Sequence, residues 1–114
     1  MLRREFAGGV LKTQLTANVS NSAASIVVID GSTFPSGSLN PFVIVIGRGT
    51  AAEEKILCSS RSANTFTVSS RGYDSTSAIA HTAGEIVDHV LDATTIQYMN
   101  TVANDTSILA WMRF

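Results

Sequence analysis

The most apolar run of the chain, Phe42-Val43-Ile44-Val45-Ile46, is bounded by Pro41 on one side and Gly47 on the other. Five residues are too few for a stable helix or a membrane span, and β-branched side chains favour an extended backbone. An apolar run without polar interruptions is typical of a strand that is covered on both faces. The run therefore predicts the central strand of a β-rich domain.

The chain contains other short apolar runs, and the segments between the runs are rich in serine and threonine. This pattern is typical of strands joined by turns. The strand at 10–16 places Leu11, Thr13 and Leu15 on one face. The clearest hairpin joins 53–59 to 65–69 through a turn at 61–64, and Arg71-Gly72-Tyr73-Asp74 then breaks the strand. With strands at 25–29 and 85–90, the pattern predicts a mainly β fold, a small antiparallel β-barrel or sandwich of about six strands.

The segment after this β-domain has a different pattern. Asp92 is a candidate N-cap, and apolar residues follow it at helical spacing, which predicts one C-terminal helix over 92–104. The helix either closes one end of the barrel or packs on a neighbouring subunit. Residues 105–114 form an apolar tail that returns to the domain's own core or docks on another chain. The predicted organisation is thus an extended arm over 1–9, a β-domain over 10–91, the helix and the tail.

Composition excludes several classes of function. Eight Lys and Arg against nine Asp and Glu give a formal charge of −1, which argues against nucleic-acid binding. No apolar run is long enough to cross a membrane or to act as a signal peptide, so we expect synthesis in a cytoplasm. The single Cys58 has no partner for an internal disulfide and is predicted to be a small buried hydrophobic residue.

Candidate catalytic residues are few. His81 and His89 are the only possible histidine bases, and no nucleophile motif or glycine-rich phosphate loop accompanies them. A metal site built on Asp88 and His89 is awkward, because adjacent residues in a strand point to opposite faces. Glu53 and Glu54 are predicted to be a solvated strand edge rather than a carboxylate pair. The sequence therefore predicts no enzyme and no cofactor.

Several segments between Leu15 and Val90 carry a resemblance to a known module. They are Phe34-Pro35, Phe42 to Gly47, Glu54-Lys55-Ile56-Leu57, Arg71-Gly72-Tyr73-Asp74, Ala80-His81 and Ala83-Gly84. In this order and spacing they resemble a β-rich module of tailed-bacteriophage virion proteins, which occurs in head decoration or minor capsid proteins and in minor tail proteins. Ser75 stands where that module usually has a glycine.

The resemblance implies a capsid decoration (cement) protein that binds the outer surface of the phage head and stabilises contacts between major capsid subunits. It implies the major capsid protein as partner, a homo-oligomer with a trimer favoured, and location in the virion after synthesis in the bacterial host. The short length of the chain favours decoration over the alternative, a minor tail, head-to-tail or receptor-facing appendage protein. A carbohydrate-binding module is a third reading.

Two sets of residues follow from these readings. The arm and the tail are expected to contact the capsid or a neighbouring subunit through Leu2, Arg3, Arg4, Phe6, Ile108, Leu109, Trp111, Met112 and Phe114. A second set is expected to structure the loop that follows the hairpin, by a glycine turn and by an internal clasp of Arg71, Asp74 and His81. This loop-structuring set consists of Arg71, Gly72, Asp74, His81 and Gly84.

Overall fold

A computed structural model describes residues 6–90 of the chain. These residues form six strands: β1 (Thr13–Gln14), β2 (Ser25–Val27), β3 (Phe42–Ile46), β4 (Glu54–Ser62), β5 (Thr65–Tyr73) and β6 (Ile86–His89). The predicted mainly β fold of about six strands is confirmed, and residues 6–90 contain no helix. The predicted helix at 92–104 and the apolar tail at 105–114 lie outside the described residues, as do positions 1–5 of the arm.

All six strands belong to one antiparallel sheet with the order β1-β6-β3-β4-β5-β2. The sheet curls into a half-barrel, so that its two edge strands approach each other. A bridge between Leu15 and Val28 joins them, and the Ile29 N–H donates to the carbonyl of Gln14 at 3.0 Å. Of the two architectures predicted, a barrel or a sandwich, the chain therefore forms the barrel-like one.

Strand β3 lies in the middle of the sheet, between β6 and β4. All five of its residues are buried, which confirms the central strand expected from the apolar run. Ile44 is paired with Ile56 on β4 and with His89 on β6. Because neighbouring strands cover both edges and the residues of both faces are buried, this segment can be apolar throughout.

The core lies inside the curl of the sheet. Three aromatic rings form one layer of it, with ring centroids 5.0 Å apart for Phe34 and Phe66 and 5.8 Å apart for Phe42 and Phe66. Cys58 belongs to the same core and is a free, fully buried thiol, as predicted. Burial in these apolar surroundings raises the pKa of the thiol. The buried core residues are Leu15, Val19, Ile26, Val28, Phe34, Phe42, Ile44, Ile46, Ile56, Cys58, Phe66 and Val87.

The β4–β5 hairpin is longer than the sequence predicted. Arg61 and Ser62 are paired with Phe66 and Thr65, so the turn contains only Ala63 and Asn64. The predicted break at 71–74 is also wrong in part, because β5 continues to Tyr73. Register shifts in the pairing between Lys55 and Ser60 let the hairpin continue past the irregular sequence.

The first predicted strand is shorter in the structure. Thr13 and Leu15 are buried on one face, as expected, whereas Leu11 is 70% exposed. The N–H of Leu11 donates to the hydroxyl of Thr33 at 2.9 Å and takes no part in the β1–β6 ladder. The alternating pattern of this segment therefore begins before the strand does.

Two long connections position the candidate site. Residues 15–24 run from β1 to β2, and residues 74–85, here called the 74–85 loop, run from β5 to β6. The 74–85 loop lies against the connection between β1 and β2. Val19 and His81 exchange two backbone hydrogen bonds there, both of 2.8 Å.

Candidate functional site: a buried ionic cluster around Glu54

Glu54 begins β4, and its side chain is completely buried. The prediction that Glu54 lies on a solvated edge is wrong, because β4 is an interior strand between β3 and β5. Alternation along β4 turns Glu54 to the inner face together with Ile56 and Cys58. A buried carboxylate is costly unless it is paired and hydrogen-bonded, so Glu54 needs a counter-charge and hydrogen-bond donors around it.

Arg71 on β5 supplies the charge that balances Glu54. Its Nε atom donates to Glu54 Oε2 at 2.8 Å, and its Nη2 atom donates to Oε1 at 3.0 Å. The same guanidinium donates to the carbonyls of Ser20 at 2.6 Å and Ile79 at 2.8 Å. Arg71 therefore joins β4, β5, the β1–β2 connection and the 74–85 loop through one planar group, which Lys could not do.

Three further donors complete the shell of the Glu54 carboxylate. The backbone N–H groups of Gly72 and Ile79 donate to it at 2.9 and 3.1 Å. The Nε2 atom of His81 lies 2.8 Å from Oε1, and the side chains of both residues are fully buried. A carboxylate offers about four lone-pair sites. Five donors therefore use its whole accepting capacity.

The pKa of Glu54 reflects this environment. Burial raises the pKa, but the hydrogen bonds from Arg71, Gly72, His81 and Ile79 outweigh burial and lower the pKa from 4.5 to about 2. Glu54 is therefore ionised at neutral pH. A permanently ionised carboxylate with no free lone pair is suited to holding a structure together rather than to transferring protons.

Gly72 is required by the backbone at this point. Its φ angle is +58°, and a Cβ atom there would lie 2.8 Å from the backbone nitrogen of Ala78. The expectation of a glycine turn in this segment therefore has a specific cause. The 74–85 loop passes so close to β5 that no side chain fits between them.

The loop-structuring residues predicted from the sequence lie around this cluster. The structure brings Arg71 and His81 together on Glu54, which the clasp hypothesis did not include. Asp74 pairs with Lys55 at 3.0 Å, next to the cluster. Gly84 has a φ angle of +91°, and its N–H donates to the carbonyl of Leu15 at 2.9 Å. All five residues thus contact β4 or the β1 segment, and Glu54 is the residue that the sequence reasoning missed.

A signal for Glu54 was present in the sequence. Glu54, Ile56 and Cys58 alternate with period two, so an inward Ile56 and an inward Cys58 imply an inward Glu54. The adjacent Glu53 disguised this pattern as an acidic pair. In the structure Glu53 instead accepts the N–H of Gly49 at 2.8 Å, within the turn that precedes β4.

Of the residues expected to contact the capsid or another subunit, Phe6 is the one within the described part of the chain. Its ring is 53% exposed and lies 5.0 Å from the ring of His89, measured between centroids. The N–H of Ala7 donates to His89 Nε2 at 3.1 Å. The others lie outside the described residues: Leu2, Arg3, Arg4, Ile108, Leu109, Trp111, Met112 and Phe114.

The two histidines considered as bases lie in different places. His81 belongs to the buried cluster, whereas His89 on β6 bonds the carbonyl of Val43 through Nδ1 at 2.7 Å. Within residues 6–90, no three His, Cys, Asp or Glu side chains are grouped so as to hold a metal ion. An open groove of about 410 Å³ lies elsewhere, over β1, with Ile29 and Ile86 in its lining.

Comparison of the sequence with protein-family models gives no match, and comparison with curated proteins gives no similar sequence. A helix long and apolar enough to cross a membrane is not found among the described residues.

Proposed function

We propose that the chain is a structural protein of a tailed-bacteriophage virion, and specifically a decoration protein. In this role it binds the outer surface of the head and stabilises contacts between major capsid subunits. One observation supports the proposal. The sequence signature that resembles the phage module coincides with the residues that build the buried ionic cluster and its surroundings.

The signature residues act together in the structure. Glu54 comes from the strand segment of the signature, Arg71 and Gly72 from the Arg-Gly step, and His81 from the later histidine. Lys55 and Asp74, also from the signature, form a salt bridge beside them. These residues are far apart in the sequence, and together they attach the 74–85 loop to the curled sheet. This supports the resemblance at the level of architecture.

The saturated shell of Glu54 supports a structural role over a catalytic one. The Glu54 carboxylate, whose pKa is lowered to about 2, accepts five hydrogen bonds and has no lone pair left for a substrate. A decoration protein needs such a rigid scaffold, because it stabilises a capsid through the interface area that it adds.

Attachment in this proposal involves the segments at both ends of the chain. The arm contributes Leu2, Arg3, Arg4 and the exposed ring of Phe6, and the tail contributes Ile108 to Phe114. Aromatic and arginine side chains are common anchors of protein interfaces. We propose a homo-oligomer, with a trimer favoured, and the major capsid protein as the partner.

The test is the number of copies of this protein per particle, measured by quantitative mass spectrometry of purified phage relative to the major capsid protein. Decoration predicts hundreds of copies, in a simple ratio to the capsid subunits. A handful of copies would overturn decoration and favour the alternative, a minor tail or head-to-tail protein. Absence from purified particles would overturn a virion role altogether.

A further inference from the structure

We infer that the folded domain holds a proton between His81 Nδ1 and Glu85 Oε1, so that His81 is a buried cation joining two carboxylates and loss of this proton at alkaline pH releases the 74–85 loop. The inference rests on the geometry of the two ring nitrogens. It is independent of the proposed role in the virion.

Each ring nitrogen of His81 faces a carboxylate oxygen. Nε2 lies 2.8 Å from Glu54 Oε1, and Nδ1 lies 3.1 Å from Glu85 Oε1. The His81 side chain is completely buried, so water does not substitute for either partner. A neutral imidazole has one N–H and one lone pair, and the lone pair would face a second acceptor here. Only the doubly protonated ring donates to both carboxylates.

The positions of the protons follow from the other hydrogen bonds. Glu54 is ionised and accepts from five donors, so the Nε2 atom of His81 must donate to it. At the other nitrogen the choice lies between the ring and Glu85. Imidazole is the stronger base, with an ordinary pKa of about 6.5 against about 4.3 for a glutamic acid. Glu85 also accepts the N–H of Thr82 through Oε2. The proton therefore belongs to Nδ1.

Charges around His81 balance when this proton is present. Glu54 faces it from β4 and is paired with Arg71 from β5, while Glu85 faces it from the end of its own loop. The β1–β2 connection, which packs on His81 through Val19, carries no titratable side chain between residues 13 and 24. Loss of the proton would leave one uncompensated negative charge, with the Glu85 side chain 26% exposed, and two facing lone pairs at the buried His81 ring.

The 74–85 loop depends on His81 at several points. The backbone of His81 exchanges two hydrogen bonds with Val19, and its ring joins Glu54 to Glu85. A neutral ring would repel Glu85 within the turn at 81–85, whose backbone is bonded to Leu15, and it would bond Glu54 on β4 less strongly than the cation does. We therefore expect the loop to open as a unit while the β3–β4 ladder stays formed.

The first test reads the ring protons directly by ¹⁵N NMR of the labelled full chain at pH 7.5. We expect both ring nitrogens of His81 to carry a proton. His89 is the internal control, since its Nε2 atom accepts the N–H of Ala7 and its Nδ1 atom donates to the carbonyl of Val43. We expect His89 to carry a single ring proton, on Nδ1. A single proton on His81, at Nε2, would overturn the inference.

The second test follows amide hydrogen exchange of residues 79–85 between pH 6.5 and pH 9.5, corrected for intrinsic exchange. We expect their protection factors to fall about tenfold over this range in the natural sequence. Where the closed and open forms of the loop differ by one bound proton, each pH unit changes the opening equilibrium about tenfold. In Glu85→Gln the amide can donate to a neutral Nδ1, so protection should no longer depend on pH. An equal fall in both proteins would show that this proton does not hold the loop.

Discussion

The two ends of the β4–β5 hairpin are held by different interactions. Next to the turn, the pairs from Ser60 with Thr67 to Ser62 with Thr65 are regular, and Phe66 packs there on the aromatic layer of the core. At the far end the pairing is shifted by bulges, and Glu54 with Arg71 replaces apolar packing. Both ends are buried on their inner faces. The turn end buries apolar side chains there, whereas the far end buries an ion pair.

The two ends should therefore respond differently to substitution. Apolar contacts have no direction and add up in proportion to the area buried, so the turn end should lose stability gradually. The ionic end depends on directed hydrogen bonds to charged groups. Removing one partner there leaves a buried charge without compensation, so the loss should be large and abrupt.

The largest expected effect comes from breaking the ionic end. Arg71→Met should lower the free energy of unfolding by about 3–5 kcal/mol, because it leaves the Glu54 carboxylate buried without its counter-charge. The matched control is Arg61→Met at the turn end, where the guanidinium donates to the carbonyls of Phe34 and Ala63. That control should cost about 1–2 kcal/mol. Urea unfolding followed by circular dichroism measures both, and equal losses would contradict the comparison.

The second-largest effect is expected from acid, which protonates Glu54 and so weakens the ionic end. The pKa of Glu54 is about 2 in the folded protein against 4.5 as its ordinary value, so the unfolded chain binds the proton more tightly. The stabilisation is present above about pH 5 and is lost as the pH falls towards 2, and it amounts to about 3 kcal/mol. Urea midpoints at pH 7, 4 and 3 should fall in that order.

Two variants sharpen the acid experiment. Glu54→Gln should remove most of this pH dependence, since no carboxylate remains to be protonated at the site. Glu53→Gln changes the neighbouring acid, which is partly exposed and bonded within its own turn, and should leave the pH dependence in place. If Glu53→Gln flattened the profile as much as Glu54→Gln, the acid sensitivity would not arise from the buried cluster.

The smallest effect is expected at the turn end. Ile26 is fully buried and is paired with Phe66 across β2 and β5. Ile26→Val removes one methylene group from this apolar region and should cost about 1 kcal/mol. Thermal and urea unfolding should both report a loss of this size. A loss above about 3 kcal/mol would mean that the apolar end is as intolerant of change as the ionic end.

Much of the fold could be predicted because its signals are local. The run at Phe42–Ile46 carries no polar residue, and the structure makes it the buried central strand. Cys58 lies in an apolar segment, and it is buried. The hairpin was predicted with its ends misplaced, because pairing with a partner strand extended β4 and β5 beyond their apolar cores. The residue at which a strand ends depends on its neighbouring strands, which the local sequence pattern does not identify.

The candidate site was harder to predict, since it depends on distant residues. Glu54 is separated from Arg71 by 17 positions and from His81 by 27. Nothing next to Glu54 in the sequence shows that a guanidinium will reach it. The resemblance to a known pattern predicts that Arg71, Gly72 and His81 structure the loop, but the sequence around Glu54, the acceptor that joins them, predicts a surface acid.

Local features of the sequence are enough to predict the β class, the central strand, the buried thiol and the need for a glycine turn near Gly72. These follow from side-chain shape, hydrophobicity and backbone freedom, which act over a few residues. Contacts between distant segments set the strand order, the closure of the sheet between Leu15 and Val28, and the convergence of hydrogen-bond donors on Glu54. The physical reason is that the stability of a buried charge depends on the groups that the folded chain brings around it, whatever their distance along the sequence.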